Sequence, residues 1–532
     1  METKMNIEPL LNELPADYAD RLGVIYTSKV TKEHKKENGQ YFTPVEISRF
    51  MGELAGESGK TIKILDPGCG IGILSCALIE KLIIKFNIEK IELTVYETDS
   101  NVLPYTEATL NYLNTWLKTK NICLEKKILT DDFILANAAA LEDSNISLFG
   151  EITFNKFDFI ISNPPYFKLS KEDKRTKAAE KLVSGQPNIY AFFMGISARL
   201  LNETGQLIFI TPRSFASGNY FRTFRKYFFL NTTIQQIHLF VSRKDTFNRD
   251  SVLQETMILK AIKSKKEIKN ESKIIISSSF GMLDLSEPKI KLYNQSELID
   301  LTSTEKILHL PTTDYEEEIV NLFKSWKHKL KDFGIQISTG PVVAFRAKTF
   351  IRESFENGTV FLAPLYWLHN VLKMNTEWPI HKTGKGQYIL ICPESKSLLI
   401  PNNNYVLLRR FSSKDDKSRL VAAPYFPKPL DSEFLGVENK VNYIYRPKGV
   451  LEKNEVMGIS ALLNSKHFDT YFRTFNGNVN VSATELREMP LPPLEIIKEI
   501  GNKIILNNIV SQTEIDDIIF HYFSISDLSI VI

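Results

Sequence analysis

The stretch Thr61-Ile-Lys-Ile-Leu-Asp-Pro-Gly-Cys-Gly-Ile-Gly72 decides the fold. Thr61 to Leu65 is a short β-prone run, and Ile73 to about Phe86 repeats apolar residues at helical spacing. Strand, glycine loop, helix is the context that makes a glycine motif informative, because glycine lets backbone come close to a ligand. The loop lacks the Lys-Ser/Thr pair of a phosphate-binding loop and begins on Asp66, an acid that repels pyrophosphate and suits a cation. A second predicted strand, Ile91 to Tyr96, leads into Glu97, Thr98 and Asp99. An acid at this point holds a ribose diol in dinucleotide-binding sheets. A third, around Cys123 to Ile128, runs into Leu129-Thr-Asp-Asp-Phe133, where Asp132 can accept a hydrogen bond from an amino group. S-adenosylmethionine, with its sulfonium, ammonium, ribose and adenine, fits this set better than NAD or ATP.

Further along, Phe157 to Ser162 is an apolar run long enough for one buried parallel strand. It stops at Asn163-Pro164-Pro165-Tyr166, where two prolines end strand pairing. The corner presents an amide, a carbonyl and an aromatic face at the carboxyl end of a strand, where open α/β sheets bind ligands. An amide oxygen and a backbone carbonyl can together accept both hydrogens of a planar –NH2 group. The plain alternative is a Pro-Pro turn under a tyrosine.

The 532 residues allow two to four domains, and a net charge of +3 identifies no partner. Cys69, Cys76, Cys123 and Cys392 form no CxxC pair and no metal-ligand spacing, so reduced thiols in a cytoplasmic protein without metal are expected. No apolar run approaches a membrane span.

Residues 1–37 read as a helical extension. Thr43 before Pro44 predicts a helix N-cap followed by a first-position proline. Phe167 to Gln186 is a long charged stretch without periodicity, Asn188 is predicted to cap a helix, and Gln206 to Thr211 reads as a fifth strand. Two more strands, Ile234 to Phe240 and Val252 to Ala261, flank a basic loop with Arg243, Lys244, Phe247 and Arg249. Residues 263–331 read as a connection. A second unit, 332–494, opens with short β-like pieces that include Arg346, Lys348 and Arg352. Its basic cluster, Arg409, Arg410, Lys414 and Arg419, and the polar loop with Asn476 and Asn478 are candidates for gripping nucleic acid. A solvated surface is the plain alternative for each. Ile459 to Phe475 repeats apolar residues at helical spacing, and residues 495–532 read as a closing helical segment.

Residues 38–262 resemble the catalytic domain of DNA adenine-N6 methyltransferases of the gamma arrangement, as found in type II restriction–modification systems. Tyr41-Phe-Thr-Pro44, the Asp66–Gly72 loop, Glu97, Asp132, Asn163-Pro-Pro-Tyr166 and the Phe247 loop occur in that family's order. The resemblance implies a Rossmann-like α/β domain with a mixed seven-stranded sheet, followed by an α+β target-recognition domain. It implies S-adenosylmethionine held by Tyr41, Thr43, Pro44, Asp66, Pro67, Gly68, Gly70, Glu97, Thr98, Asp132, Phe133 and Asn163. Asn163, Pro164, Pro165 and Tyr166 are the implied catalytic residues, and Tyr166 and Phe247 the implied stacking partners of a flipped adenine. The implied partner is double-stranded DNA, contacted by Arg243, Lys244, Arg249, Arg409, Arg410, Lys414, Arg419, Asn476 and Asn478. The expected chain is a monomer, with any cognate endonuclease acting separately. N4-cytosine methylation and, less favoured, methylation of a protein glutamine amide are the alternatives.

Overall fold

The computed structural model describes residues 7–31, 33–34, 39–142, 146–147, 150–151, 154–240, 256–264, 272–282, 284–354, 361–412, 416–428, 432–477, 479–509 and 511–523. The chain divides into two units, Met1–Leu308 and His309–Ile532.

The first unit is built on strands β1 (Thr61–Pro67), β2 (Lys90–Tyr96), β3 (Cys123–Leu129), β4 (Phe157–Ser162), β5 (Leu201–Pro212), β6 (Thr232–Phe240), β7 (Thr256–Lys263), β8 (Lys273–Ser279) and β9 (Lys289–Asn294). They form one sheet in the order β9-β8-β6-β7-β5-β4-β1-β2-β3. β1, β2, β3, β4 and β5 run parallel, and β7 is antiparallel to both β5 and β6. Ile62, Ile64 and Leu65 of the central β1 are fully buried, as expected for a parallel strand covered on both faces. Seven strands, six in one direction and β7 reversed, therefore make the mixed sheet that the resemblance implies. β8 and β9 widen the sheet to nine.

Those two strands come from the stretch that reads as a connection in the sequence. β8 runs parallel to β6, and the tie between them is polar. His238 of β6 is fully buried, with Nδ1 3.0 Å from Ser277 Oγ and Nε2 3.0 Å from Ser279 Oγ. Burial pushes this imidazole down to about 4. The chain that follows also stays with the first unit. Arg225 is buried, and its Nε donates to Glu305 O at 2.7 Å, while Leu308 N donates to Ala216 O at 2.9 Å.

Helices α1 (Pro15–Lys29), α2 (Val45–Glu53), α3 (Ile73–Lys85) and α4 (Leu103–Lys118) cover the sheet. The N-terminal stretch is part of this core, not an appendage. Ala16, Ala19, Leu22 and Tyr26 of α1 are buried together with residues of α3 and α4. Buried Glu80 of α3 accepts a hydrogen bond from Ala16 N at 2.7 Å, satisfying a donor in the first turn of α1. Helix α5 (Phe133–Asn137) follows β3, α6 (Ile189–Leu200) precedes β5, and α7 (Arg222–Asn231) precedes β6.

The second unit holds a four-stranded antiparallel sheet, from Gln336–Thr339, Val441–Tyr445, Tyr405–Arg409 and Ala422–Tyr425, and a five-stranded mixed sheet. Its helices are α8 (Asp314–Ser325), α9 (Lys453–Asn464), α10 (Lys466–Phe475), α11 (Ala483–Glu488), α12 (Leu494–Asn507) and α13 (Gln512–Phe523). The helical pattern expected over 459–475 is two helices, divided at Ser465, whose hydroxyl caps α10. The C-terminal helices belong to this unit's core. A Cβ on Gly458 of α9 would lie 2.0 Å from Ile497 O, and one on Gly501 of α12 would lie 1.9 Å from Asn454 O. Each helix thus needs a glycine where the other's backbone passes.

Candidate active site

The carboxyl ends of β1, β2, β3 and β4 surround a cavity of about 290 Å³. The β1 loop enters it through Gly68, Cys69 and Gly70. Gly70 has φ +55°, and a Cβ there would meet the Phe42 ring at 2.8 Å. Backbone alone fits between that ring and the cavity.

Glu97, at the end of β2, accepts from Gly70 N at 3.0 Å and from Asp99 N at 2.8 Å. Burial raises its carboxyl above the usual range. Asp99 is the centre of a second network, since its Oδ2 accepts from Gln40 Nε2 (2.5 Å) and Tyr26 OH (3.2 Å) and lies 2.8 Å from His34 Nε2. Burial works against the Asp99 carboxylate, yet backbone and side-chain donors hold it below the usual range. Asp132 Oδ1 caps α5, accepting from Ile134 N (2.9 Å) and Leu135 N (3.0 Å), while Oδ2 lies 3.9 Å from Arg175 NH1. Phe133 and Phe193 close one wall with ring centroids 5.1 Å apart.

Asn163 sits where β4 ends. Its Nδ2 donates to Tyr41 O at 3.0 Å and to Thr43 Oγ1 at 3.1 Å. A backbone carbonyl can only accept, so the nitrogen must face Tyr41 and Oδ1 must face the other way. There Oδ1 lies 2.5 Å from the Tyr166 hydroxyl, which is also 2.8 Å from Ile210 O. One hydroxyl hydrogen serves one of these acceptors at a time. Ser162, the residue before, is buried and donates to Pro67 O at 2.6 Å, clamping the end of β4 to the end of β1. Pro165 lines the cavity. The half-buried Tyr166 ring stands edge-on to Tyr190, at 6.2 Å and 89°.

Four carboxylates, Glu97, Asp99, Asp131 and Asp132, line this cavity, with Arg175 as the one basic side chain among its lining residues. Such a site disfavours phosphate and suits a cation bearing hydroxyls and an amine.

The Eco57I restriction-modification methylase family model matches residues 78–247. The type II methyltransferase M.BsuBI of Bacillus subtilis is 35% identical over 91% of this chain and 93% of its own length. The type II methyltransferase M.PstI of Providencia stuartii is 30% identical over 90% of this chain and 92% of its own. The chain belongs to the type II restriction–modification methyltransferases. The likeness runs through both units, so the second unit is part of the shared design.

Within this methyltransferase, Tyr41, Thr43, Gly68, Gly70, Glu97, Thr98, Asp132, Phe133, Asn163 and Pro165 converge on the one cavity. Several expected residues do not line it. Asp66 is fully enclosed at the end of β1, accepts from Ser75 Oγ at 2.7 Å, and is pushed up to about 7 by burial. It lies beneath the glycine loop because the loop turns away from the sheet after it. Pro67 follows it as the last residue of β1, and Pro44 is turned to α2, whose N-cap it is. Thr43 does not cap that helix, since its hydroxyl accepts from Asn163 instead. Asn188 likewise makes no side-chain cap on α6. Phe247, Arg243, Lys244 and Arg249 lie outside the described residues, as do Lys414 and Asn478.

Two expected DNA contacts in the second unit are interior residues. Arg419 is buried and donates to Ser412 Oγ (3.1 Å) and Asn476 Oδ1 (2.7 Å). Asn476, also buried, donates in turn to the Glu485 carboxylate at 3.0 Å. Their polar groups satisfy one another, which leaves them no reach to a phosphate. Arg409 is half-buried, with Nε donating to Val371 O at 2.6 Å, whereas Arg410 donates to Asn439 O at 3.0 Å and lies over exposed Phe411.

The sequence reading did not single out Arg175, Gln40 or Phe193, nor the network of Tyr26, His34 and Asp99. Arg175 stands in the charged stretch after Tyr166, pairs bidentately with Asp173 (2.9 and 2.7 Å) and lies over Phe167 at 5.8 Å. The charge and length of that stretch were signals for it. Tyr26 meets Asp99 across 73 positions of sequence, a contact no local pattern announces.

Proposed function

We propose that the chain transfers a methyl group from S-adenosylmethionine to the N6 amino group of an adenine turned out of duplex DNA, as the modification enzyme of a restriction–modification system. The observation that carries this reading is the fixed amide of Asn163. Its nitrogen is committed to Tyr41 O and Thr43 Oγ1, so Oδ1 is the atom offered to a substrate.

The acidic cavity supports the cofactor. Glu97 and Asp132 would take its hydroxyls and adenine amine, and Phe133 with Phe193 its adenine ring. When bound, it supplies an electrophilic methyl group. The protein's own part is to hold and polarise the amine. An adenine amine is a weak nucleophile because its lone pair is delocalised into the ring. Asn163 Oδ1 and the Pro164 carbonyl accept its two hydrogens and return electron density to nitrogen. The Tyr166 hydroxyl keeps Ile210 O as its acceptor and releases Oδ1 to the incoming amine. Holding both reactants in line supplies much of the rate. Extruding the base costs roughly a few kcal/mol, and stacking on Tyr166, worth about 1–3 kcal/mol, offsets part of it.

The test is to incubate the chain with genomic DNA and labelled methyl donor, digest to nucleosides and separate them by mass. N6-methyl-2′-deoxyadenosine is the expected product, and N4-methyl-2′-deoxycytidine would overturn the base assignment. Asn163→Ala is expected to lose transfer by at least about a hundredfold while retaining donor binding. Wild-type turnover in that variant would remove the amide from the mechanism.

A further inference from the structure

In the second unit, one edge gathers exposed aromatic and cationic side chains that the fold does not use. Phe345 stands at the tip of a tight turn, 77% exposed, with the Arg346 guanidinium 5.3 Å from its ring centre. Both Arg346 N and Ala347 N donate to Val343 O at 2.9 Å, which fixes the turn. Its base is tied to the next segment by Asn439 N donating to Val342 O at 2.9 Å. Arg410 joins the same edge, with N donating to Lys440 O at 2.9 Å and NH1 to Asn439 O at 3.0 Å. Phe411 then pairs with Asn480, beside Val479, which is 54% exposed. The edge therefore runs continuously from Phe345 through Asn439 to Phe411.

Four cations belong to it. Arg346, Lys348, Arg410 and Lys440 have no carboxylate partner among the described residues. Some other cations of this unit are paired, as in Arg446 with Glu455 (2.6 Å), Arg473 with Asp469 (2.6 Å) and Lys498 with Glu452 (2.9 Å). A surface that leaves four cations unneutralised carries a local positive field. It suits a polyanion whose rings and sugars can cover an aromatic face.

We propose that this edge docks a DNA duplex, with Arg346, Lys348, Arg410 and Lys440 on phosphates and Phe345 packed against base or sugar faces. The inference rests on the reading of the chain as a DNA-modifying enzyme and adds the surface by which the second unit engages the duplex. Among these residues only Arg410 stands out in the basic cluster of the sequence as a DNA contact. Phe345 has no such signal.

The test uses the full chain and a fluorescently labelled duplex, with binding followed by anisotropy from low to high KCl. The double variant Arg346→Ala/Arg410→Ala is expected to bind at least tenfold more weakly at low salt. Its slope of log affinity against log salt should fall by about 2, one for each phosphate contact. Phe345→Ala should weaken binding with the slope unchanged, and Phe345→Trp should restore most of the loss. Wild-type affinity and slope in the double variant overturn the proposal. So does a change in sedimentation without a change in duplex binding, which would mark a protein-contacting face. Binding is measured apart from methyl transfer. A chain that binds through this edge yet forms no N6-methyl-2′-deoxyadenosine would sink the base assignment and keep the edge.

Discussion

Asp66 shows how far one side chain's setting departs from its sequence signal. An acid opening a glycine loop reads as a partner for a cationic ligand. In the fold it is wholly buried, accepts one hydrogen bond from Ser75, and burial raises it from the ordinary value of 3.8 to about 7. The sign follows from linkage. The folded state keeps a proton that the unfolded state releases near pH 4, so this group's contribution to stability is full below that pH. It is lost as pH rises through about 7. Asp66→Asn removes the titration. Unfolding measured by denaturant from pH 5 to 8 should show wild type losing on the order of a few kcal/mol relative to the variant across that range. Parallel pH profiles would show that Asp66 is not the buried acid described. Asn163, by contrast, stands where its motif predicts, and the fold adds the two acceptors that fix which way its amide points.

At the scale of elements, the pairing of α9 with α12 depends on reciprocal close approach. Gly458 and Gly501 each leave room for a carbonyl of the opposite helix, and a methyl at either site would sit at about half a normal contact distance. Backbone cannot swing aside as a side chain can, so the helices must separate. Gly458→Ala should cost about 1–3 kcal/mol of stability, the range of an overpacked core, read as a lower denaturant midpoint. Adding Gly501→Ala should cost less than a second full increment, because one displacement relieves both clashes. Full additivity would mean that the two glycines act at independent spots. The helical periodicity of both segments is legible in sequence. That each needs a glycine opposite the other is not.

For the whole molecule, the decisive feature is where the first unit ends. The seven strands implied by the family resemblance finish at Lys263, but the sheet continues through β8 and β9, and the chain stays attached through Arg225 and Glu305 to Leu308. A fragment of residues 1–308 should fold cooperatively and bind S-adenosylmethionine by calorimetry. A fragment of residues 1–262 exposes the edge of β6, leaves His238 without Ser277 and Ser279, and strips Arg225 of its carbonyl from Glu305. It should aggregate or melt at a markedly lower temperature, because a bare strand edge and an unpaired buried charge are both costly. Equal stability of the two fragments would make β8 and β9 dispensable additions.

The sequence by itself determined the sheet around its glycine loop, the carboxylates at the strand ends and the Asn163-Pro-Pro-Tyr166 corner. Each of these is written in consecutive residues, because strand period, proline and glycine act within a few bonds of where they stand. Tertiary structure alone decided that Thr43 serves Asn163 and not its own helix, that Asp66 lies beneath the cavity, and that Arg419 and Asn476 pair inside the second unit. It also decided that Tyr26 and His34 reach Asp99. Those outcomes turn on which polar group finds a partner once burial has removed water. The partner stands 120 positions away for Thr43, 57 for Arg419 and 73 for Tyr26, beyond the reach of any local pattern.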